Sequence, residues 1–104
     1  MLKYLFVYHG GTHPENETEK ASAMDAWGEW FGFLGSAVVD GGHPVGLSTT
    51  VSATDVVGNG GTNPVSGYSI VEASDLDDAV KKAQACPLIT VHGGTVEVAE
   101  VVDM

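Results

Sequence analysis

The side chains best suited to acid–base chemistry stand together in one short segment, Asp40-Gly41-Gly42-His43-Pro44. Histidine titrates near neutral pH and a nearby carboxylate orients its ring, so Asp40 and His43 form a candidate catalytic pair. The alternative is structural. An aspartate in a turn commonly accepts hydrogen bonds from its own backbone, and a loop histidine before proline is commonly exposed. The sequence leaves both interpretations open.

Three predicted strands build the sheet that would position this pair: Leu2–Tyr8, Ala37–Val39 and Gly67–Ala73. The first is almost continuously apolar, which is typical of a central strand. We expect the first and third strands to run parallel and the second to run antiparallel beside the third. The end of the second strand then lies near the beginnings of the other two. This arrangement brings Asp40 and His43 towards Tyr4 and Tyr68.

A long helix is predicted between Asn16 and about Leu34, because Asn16 followed by Glu19 is a variant of the capping box. Two apolar stripes run side by side along it: Met24, Trp27, Phe31 and Leu34 in one, and Ala23, Ala26, Trp30 and Phe33 in the other. Together the two stripes cover a wider arc of the helix surface than is needed to pack against one sheet. The surplus is either a broad core face or a surface that reaches a subunit interface or a ligand pocket. The second interpretation predicts a pocket beside the sheet with four aromatic walls, Tyr4, Trp27, Trp30 and Tyr68.

The remaining candidate groups favour neither a metal nor a nucleotide. His9 and His13 have the i, i+4 spacing of zinc ligands on a helix, but two glycines separate them and no helix is expected there. A site that adds His92 and Cys86 is conceivable, yet we predict no metal and no cofactor. Cys86 lacks a basic neighbour, so it is predicted to be a small buried residue. The loop Gly58-Asn59-Gly60-Gly61 lacks the helix and the lysine of a phosphate loop and is interpreted as a hairpin turn.

The rest of the chain completes one domain over residues 1–104. Leu47–Val57 is interpreted as an extended arm. A second helix begins at Ser74 or Asp75 and is stopped by Pro87, and a last strand covers Thr95–Val102. The order β-α-β, arm, β-α-β predicts an α+β, ferredoxin-like sandwich: a four-stranded antiparallel sheet with both helices on one face. The other sheet face stays uncovered, so we expect two copies to pack there as a homodimer.

Composition narrows the range of partners. Fourteen acidic residues against four basic ones give a net charge of −10, which repels nucleic-acid backbones and anionic membrane surfaces. No apolar run is long enough to span a membrane, and the N-terminal run is too short for a signal peptide. With one cysteine, no intramolecular disulfide is possible. A cytoplasmic protein is therefore predicted, and neither nucleic acid nor membrane is expected as a partner.

The ordered set of these segments resembles the YCII-related (DGPF-domain) family. The resemblance depends on Lys3–Tyr8, Leu34-Gly35, Val39–Gly42, Gly67–Ala79, Ala85–Pro87 and Gly93–Val98, and so covers nearly the whole chain. It implies a dimeric α/β-barrel assembly and no established activity. A histidine on the first helix, proposed to work with an aspartate in some members, has no counterpart between Asn16 and Leu34. The resemblance therefore transfers no catalytic residue to this chain.

Two classes of function follow. The first is binding, with conversion as a further possibility, of a small organic molecule in the pocket beside the sheet. Asp40 and His43 would be its polar groups. The second is a non-catalytic dimeric accessory or interaction module, whose tryptophan-bearing face meets another protein. Stabilisation by a compound in a thermal-shift screen of small aromatic acids, lactones and quinones favours the first class, whereas no hit together with a closed, dry cleft favours the second.

Overall fold

The computed structural model describes residues 1–58 and 63–103. Its elements follow the predicted order, with one additional hairpin and one additional short helix. They are β1 (Leu2–His9), α1 (Glu17–Leu34), β2 (Val38–Asp40), β3 (Thr49–Val51), β4 (Val56–Gly58), β5 (Val65–Ala73), α2 (Leu76–Gln84), α3 (Pro87–Thr90) and β6 (Thr95–Glu100), with a 3₁₀ turn at Gly35–Ala37.

The main sheet has four strands in the order β2-β5-β1-β6, and each neighbouring pair is antiparallel. This mixed α+β architecture is consistent with the predicted ferredoxin-like sandwich. The expectation that the first and third strands run parallel is wrong, because Leu2 lies opposite Ala73 and Tyr8 opposite Gly67. The connection through α1 leaves a gap between β1 and β2, which run in the same direction. β5 enters that gap and pairs with both in the opposite direction.

The reversed strand changes which residues meet at the edge of the sheet. The end of β2 lies beside the beginning of β5 and the end of β1, rather than beside the beginning of β1. Asp40 pairs with Ile70, and Pro44 forms a bridge to Gly67. Tyr68 therefore lies near this edge, as predicted, whereas Tyr4 pairs with Val71 further along the sheet.

The predicted arm is a hairpin of β3 and β4 that forms a separate two-stranded sheet. Its turn is at Ser52–Asp55, where Ser52 N–H donates to the Asp55 carbonyl oxygen (2.9 Å) and Asp55 N–H to Ser52 Oγ (3.1 Å). Such side-chain bonds explain why the chain reverses here. The glycine loop that was expected to form the turn falls largely outside the described residues. Val51 and Val56 on the hairpin are exposed.

Helix boundaries follow the capping residues. Asn16 Oδ1 accepts from Glu19 N–H (2.8 Å) and Glu19 Oε2 accepts from Glu15 N–H (2.8 Å), which confirms the capping interpretation of α1. Asp75 caps α2 by accepting from Asp78 N–H (2.8 Å). Pro87 does more than stop α2: it is the first residue of α3, a position where proline is well tolerated because its missing N–H has no partner there.

One core lies between the sheet and the helices. The buried residues of the central strands alternate and share one face: Tyr4, Phe6 and Tyr8 on β1, and Ser69, Val71 and Ala73 on β5. All of them except Ser69 belong to one hydrophobic cluster with Trp30 and Leu34 of α1 and Ala79 and Ala83 of α2, so both long helices cover this face. On the opposite face, Leu5, Val7 and Ile70 remain partly exposed. Among the described residues, no helix is long and apolar enough to cross a lipid bilayer.

Candidate ligand pocket

An open cavity of about 410 Å³ lies between α1 and the edge of the sheet where β1 ends and β5 begins. We call it the α1 pocket. Its walls come from α1, from the loop after β1, from residues 41–44, from the beginning of β5, and from Leu88 and His92. The volume falls within the range of about 300–1,000 Å³ that is usual for small-molecule sites.

Helical and strand periodicities together position the aromatic walls. Alternation along β1 directs Tyr8 to the helix side of the sheet, at the end of the strand. Trp27 and Phe31 are one turn apart on α1 and both line the pocket. The Trp27 ring meets Tyr8 edge-on with ring centroids 5.4 Å apart and lies 6.0 Å from the Phe31 ring. These contacts give the pocket a continuous aromatic wall.

Trp27 also links α1 to the segment after α3. Its Nε1–H donates to Nε2 of His92 (3.1 Å), and the two rings are stacked with centroids 6.3 Å apart. The loop after β1 is fixed to the same segment, because Thr12 N–H donates to the His92 carbonyl oxygen (2.8 Å). His92 thereby joins three parts of the pocket wall.

Tyr8 begins a short chain of hydrogen bonds across the sheet. Its hydroxyl donates to Ser69 Oγ (2.6 Å), and the Ser69 hydroxyl donates to the Gly41 carbonyl oxygen (2.7 Å). Burial raises the pKa of the Tyr8 phenol, and this effect outweighs the hydrogen bond with Ser69, which lowers it. Tyr8 therefore stays a neutral phenol, and the chain fixes the 41–44 segment against β5.

The turn after β2 requires glycine. Gly42 has φ = +72°, and a Cβ atom built there would overlap the carbonyl oxygen of Tyr68. Asp40 Oδ1 accepts from Gly42 N–H (2.8 Å), and the His43 carbonyl oxygen accepts from Tyr68 N–H (3.3 Å). This part of the chain therefore follows β5 closely and holds His43 at the pocket rim.

The predicted catalytic pair is not joined in this geometry. His43 is exposed and its ring meets Tyr68 edge-on at 6.3 Å, while Asp40 is exposed, bonds the turn backbone and does not line the pocket. Within residues 1–58 and 63–103, no hydrogen bond connects the two side chains. For Asp40 the structure favours the turn interpretation.

Of the four predicted pocket walls, two line the cavity and two do not. Trp27 and Tyr68 line it, as does His43. Tyr4 is 2% exposed and belongs to the core, because the antiparallel β1 brings Tyr8 to this edge in its place. Trp30 is also buried: its ring packs on Phe6, and its Nε1–H donates to the Lys82 carbonyl oxygen (3.0 Å).

Several pocket residues were not predicted from the sequence: Tyr8, His13, Lys20, Met24, Phe31, Ser66 and His92. Correct strand directions would have located Tyr8, and the i, i+4 relation to Trp27 would have located Phe31. Nothing in the sequence indicates that the segment after α3 folds back to Trp27. Ser66 Oγ is buried without a hydrogen-bond partner in the described part of the chain.

The other candidate groups have structural roles. His9 contacts Glu97 through Nε2 (2.9 Å) and the Asn63 carbonyl oxygen through Nδ1 (3.1 Å). Cys86 is fully buried, as predicted, and burial raises the pKa of its thiol to about 11, which disfavours the thiolate a nucleophile needs. Among the described residues, no three His, Cys, Asp or Glu side chains are grouped to hold a metal ion.

No protein-family model matches the chain, and no curated protein is significantly similar to it. The geometry of the α1 pocket therefore carries the functional proposal.

Proposed function

We propose that this protein binds a small organic molecule in the α1 pocket. The observation that carries the proposal is an open cavity of about 410 Å³ whose walls combine aromatic rings with several polar side chains. Sites for small molecules commonly have this composition: apolar and aromatic walls supply affinity, and a few polar groups fix orientation.

The pocket is held in shape before any ligand enters. The bond from Trp27 to His92 fixes one wall, and the chain from Tyr8 through Ser69 to Gly41 fixes the other. A preformed site loses little conformational entropy on binding, so more of the gain from burying an aromatic ligand appears as affinity. That gain is about 25 cal/mol for each Å² of apolar surface removed from water.

Conversion of the ligand is a weaker proposal than binding. Acid–base catalysis by the predicted pair requires Asp40 to orient His43, and Asp40 instead bonds the backbone of its own turn. His43 at the rim stays a candidate proton acceptor that works without a carboxylate partner. We therefore propose binding as the function and place His43 among the groups that contact the ligand.

The two tryptophans allow a direct test. Trp27 lines the pocket, whereas Trp30 is 4% exposed in the core. A thermal-shift screen of small aromatic acids, lactones and quinones is expected to yield compounds that raise the melting temperature. These compounds should also change tryptophan fluorescence in the wild type and in Trp30→Phe. The change should be largely lost in Trp27→Phe. A screen without a stabilising compound, or an undiminished response in Trp27→Phe, would contradict the pocket.

We also propose that the fold is ferredoxin-like and that two copies assemble as a dimeric α/β barrel, as the YCII-related resemblance implies. Support comes from the open sheet face, where Leu5, Val7 and Ile70 are only partly buried within one chain. Light scattering at micromolar concentration is expected to give the mass of a dimer. Ile70→Lys should reduce it to that of a monomer, while Gln84→Lys, on the exposed end of α2, should not. A monomeric wild type would exclude this assembly.

One observation favours the interaction module as a second candidate. Phe33 is 75% exposed on α1, beside a shallow groove that includes Ala26 and Pro87. Trp30 also lines this groove but is only 4% exposed, whereas Trp27 lines the α1 pocket instead. Loss of co-purifying protein in Phe33→Ser, with the ligand response of Trp27 unchanged, would support this module as a separate property of the chain.

A further inference from the structure

We propose that the α1 pocket selects a hydrophobic molecule that carries a carboxylate. The apolar part lies among the aromatic walls, and the carboxylate lies at the pocket mouth. This inference rests on the proposed function and names the class of its ligand. It follows from two features of the pocket, the distribution of apolar and polar groups with depth and the distribution of charge.

The depth of each side chain divides the pocket into a floor and a rim. The floor is formed by buried or half-buried apolar groups, chiefly Tyr8, Trp27 and Leu88. The rim carries four exposed side chains that are able to donate hydrogen bonds: Thr12, His13, Lys20 and His43. A ligand with one apolar end and one polar end matches this division, because its apolar end leaves water while its polar end stays at the mouth.

Among the described residues that line the pocket, the one fully charged side chain is Lys20, whose sign is opposite to the net charge of the molecule. Three of the chain's four histidines and one of its four lysines line the pocket. None of the fourteen carboxylate side chains does, although all of them lie among the described residues. For a protein with a net charge of −10, this makes the rim a local exception that attracts anions.

The carboxylates that are close in sequence to the rim residues form hydrogen bonds of their own. Asp40 precedes the rim segment, and its Oδ1 accepts from Gly42 N–H (2.8 Å). Glu15 and Glu19 line an adjoining groove that shares His13 and His92 with the α1 pocket, and Glu19 Oε2 accepts from Glu15 N–H (2.8 Å) as part of the helix cap. These bonds fix Asp40 and Glu19 where they do not line the pocket, so no carboxylate stands beside Lys20 among the lining residues.

Three probes with the same apolar tail test the charge preference: 4-phenylbutanoate, 4-phenylbutanamide and 4-phenylbutylamine. Their affinities are measured at pH 7 by the change in tryptophan fluorescence and by calorimetry. We expect the carboxylate to bind about tenfold more tightly than the amide, as a charge-assisted hydrogen bond allows, and the amine to bind most weakly. Added salt should weaken only the carboxylate, because it screens the charged rim.

Two matched lysine variants test whether the preference for the carboxylate arises at Lys20. Lys20→Gln should reduce the preference for the carboxylate over the amide by about threefold, a change typical of a solvent-exposed ion pair. Lys81→Gln alters the net charge equally, but on α2 away from the pocket, and should leave the preference unchanged. Equal affinity for the carboxylate and the amide, or an equal effect of the two variants, would overturn the carboxylate inference and leave the pocket intact. A lack of binding by all three probes at millimolar concentration would overturn the proposed function as well.

Discussion

Trp27 Nε1 lies 3.1 Å from His92 Nε2, and this single contact determines the protonation of the histidine ring. An indole N–H is a donor only, so Nε2 must accept and must carry no proton. The ring proton of neutral His92 is therefore on Nδ1, whereas free histidine favours neither nitrogen strongly enough to fix it. The bond also ties α1 to the chain after α3, so the packing of the helix and the tautomer of the ring depend on each other.

The first prediction concerns this tautomer. Long-range ¹H–¹⁵N correlation spectra at pH 8 are expected to show Nε2 of His92 unprotonated and Nδ1 protonated. Trp27→Phe removes the donor and should give a mixture of both tautomers, while His43 keeps the same spectrum in both proteins. A protonated Nε2 in the wild type would show that the bond from Trp27 is absent in solution.

The second prediction separates the two interpretations of Asp40. Asn at this position keeps an oxygen that accepts from Gly42 N–H, so Asp40→Asn should change the free energy of unfolding by less than about 0.5 kcal/mol. Asp40→Ala removes the acceptor and should destabilise by about 1 kcal/mol. Ligand affinity should be unaffected by Asp40→Asn. A large loss of affinity or turnover in Asp40→Asn, with the stability unchanged, would restore the carboxylate to a functional role.

The third prediction concerns the shape of the rim. Gly42→Ala should destabilise the protein by more than about 1 kcal/mol, because φ is positive and the new methyl group meets the Tyr68 carbonyl oxygen. The turn that holds His43 would have to move, so ligand affinity should fall too. Gly46→Ala is the matched control, since nothing lies within 4 Å of its Cβ position. Equal stability of the two variants would contradict the close approach of the turn to β5.

The sequence predicted local structure better than the positions of side chains across the sheet. The predicted caps, Asn16 for α1 and Ser74 or Asp75 for α2, located the beginnings of both long helices to within one residue, because a cap is decided by neighbours within four residues. Tyr4 was predicted to line the pocket but lies in the core. Its position depends on the direction of the strands, which a local sequence pattern does not contain. Trp30 was also predicted to line the pocket but is buried in the core. Helical periodicity predicts which face of a helix points inward, but not where on that face the core ends and the cavity begins.

The same limit applies to residues brought together over long distances along the chain. Trp27 and His92 are 65 positions apart, and Tyr8 and Ser69 are 61 positions apart. Neither contact follows a spacing rule, since both depend on how α3 and β5 pack. The charge pattern of the pocket likewise becomes visible only when the loop with His13 and the segment with His43 are placed at one mouth.

The fourth prediction compares the two hydroxyls beneath the pocket. Ser69→Ala leaves both the buried Tyr8 hydroxyl and the Gly41 carbonyl oxygen without their partner, so it should destabilise by about 2–4 kcal/mol. Tyr8→Phe removes only the first hydroxyl of the hydrogen-bond chain, and Ser69 still donates to the Gly41 carbonyl oxygen. The free energy of unfolding should therefore fall by only about 1 kcal/mol. Urea unfolding measures both. A Tyr8→Phe variant less stable than Ser69→Ala would contradict the direction of the hydrogen-bond chain.

The fifth prediction concerns stability at alkaline pH. Burial raises the pKa of the Cys86 thiol from its usual 9.0 to about 11. Below pH 9 the thiol is protonated in both the folded and the unfolded chain, so its full contribution to the free energy of unfolding is present. Between pH 9 and 11 the unfolded chain loses the proton first and binds fewer protons than the folded chain. The free energy of unfolding should therefore fall as pH rises, by at most about 1.4 kcal/mol for each pH unit.

Cys86→Ala tests this assignment. The variant should be less stable than the wild type at pH 8, because it loses a buried sulfur, but its stability should change less between pH 9 and 10. The phenols of Tyr4 and Tyr8 contribute less in that interval, because burial raises their pKa above the usual 10.0 and most of their contribution is lost above pH 10. Urea midpoints at pH 8, 9 and 10 for the wild type, Cys86→Ala and Tyr8→Phe separate the two groups. If the stability of Cys86→Ala fell between pH 9 and 10 by as much as that of the wild type, a group other than the Cys86 thiol would be titrating. The thiol would then be less deeply buried in solution than the structure shows.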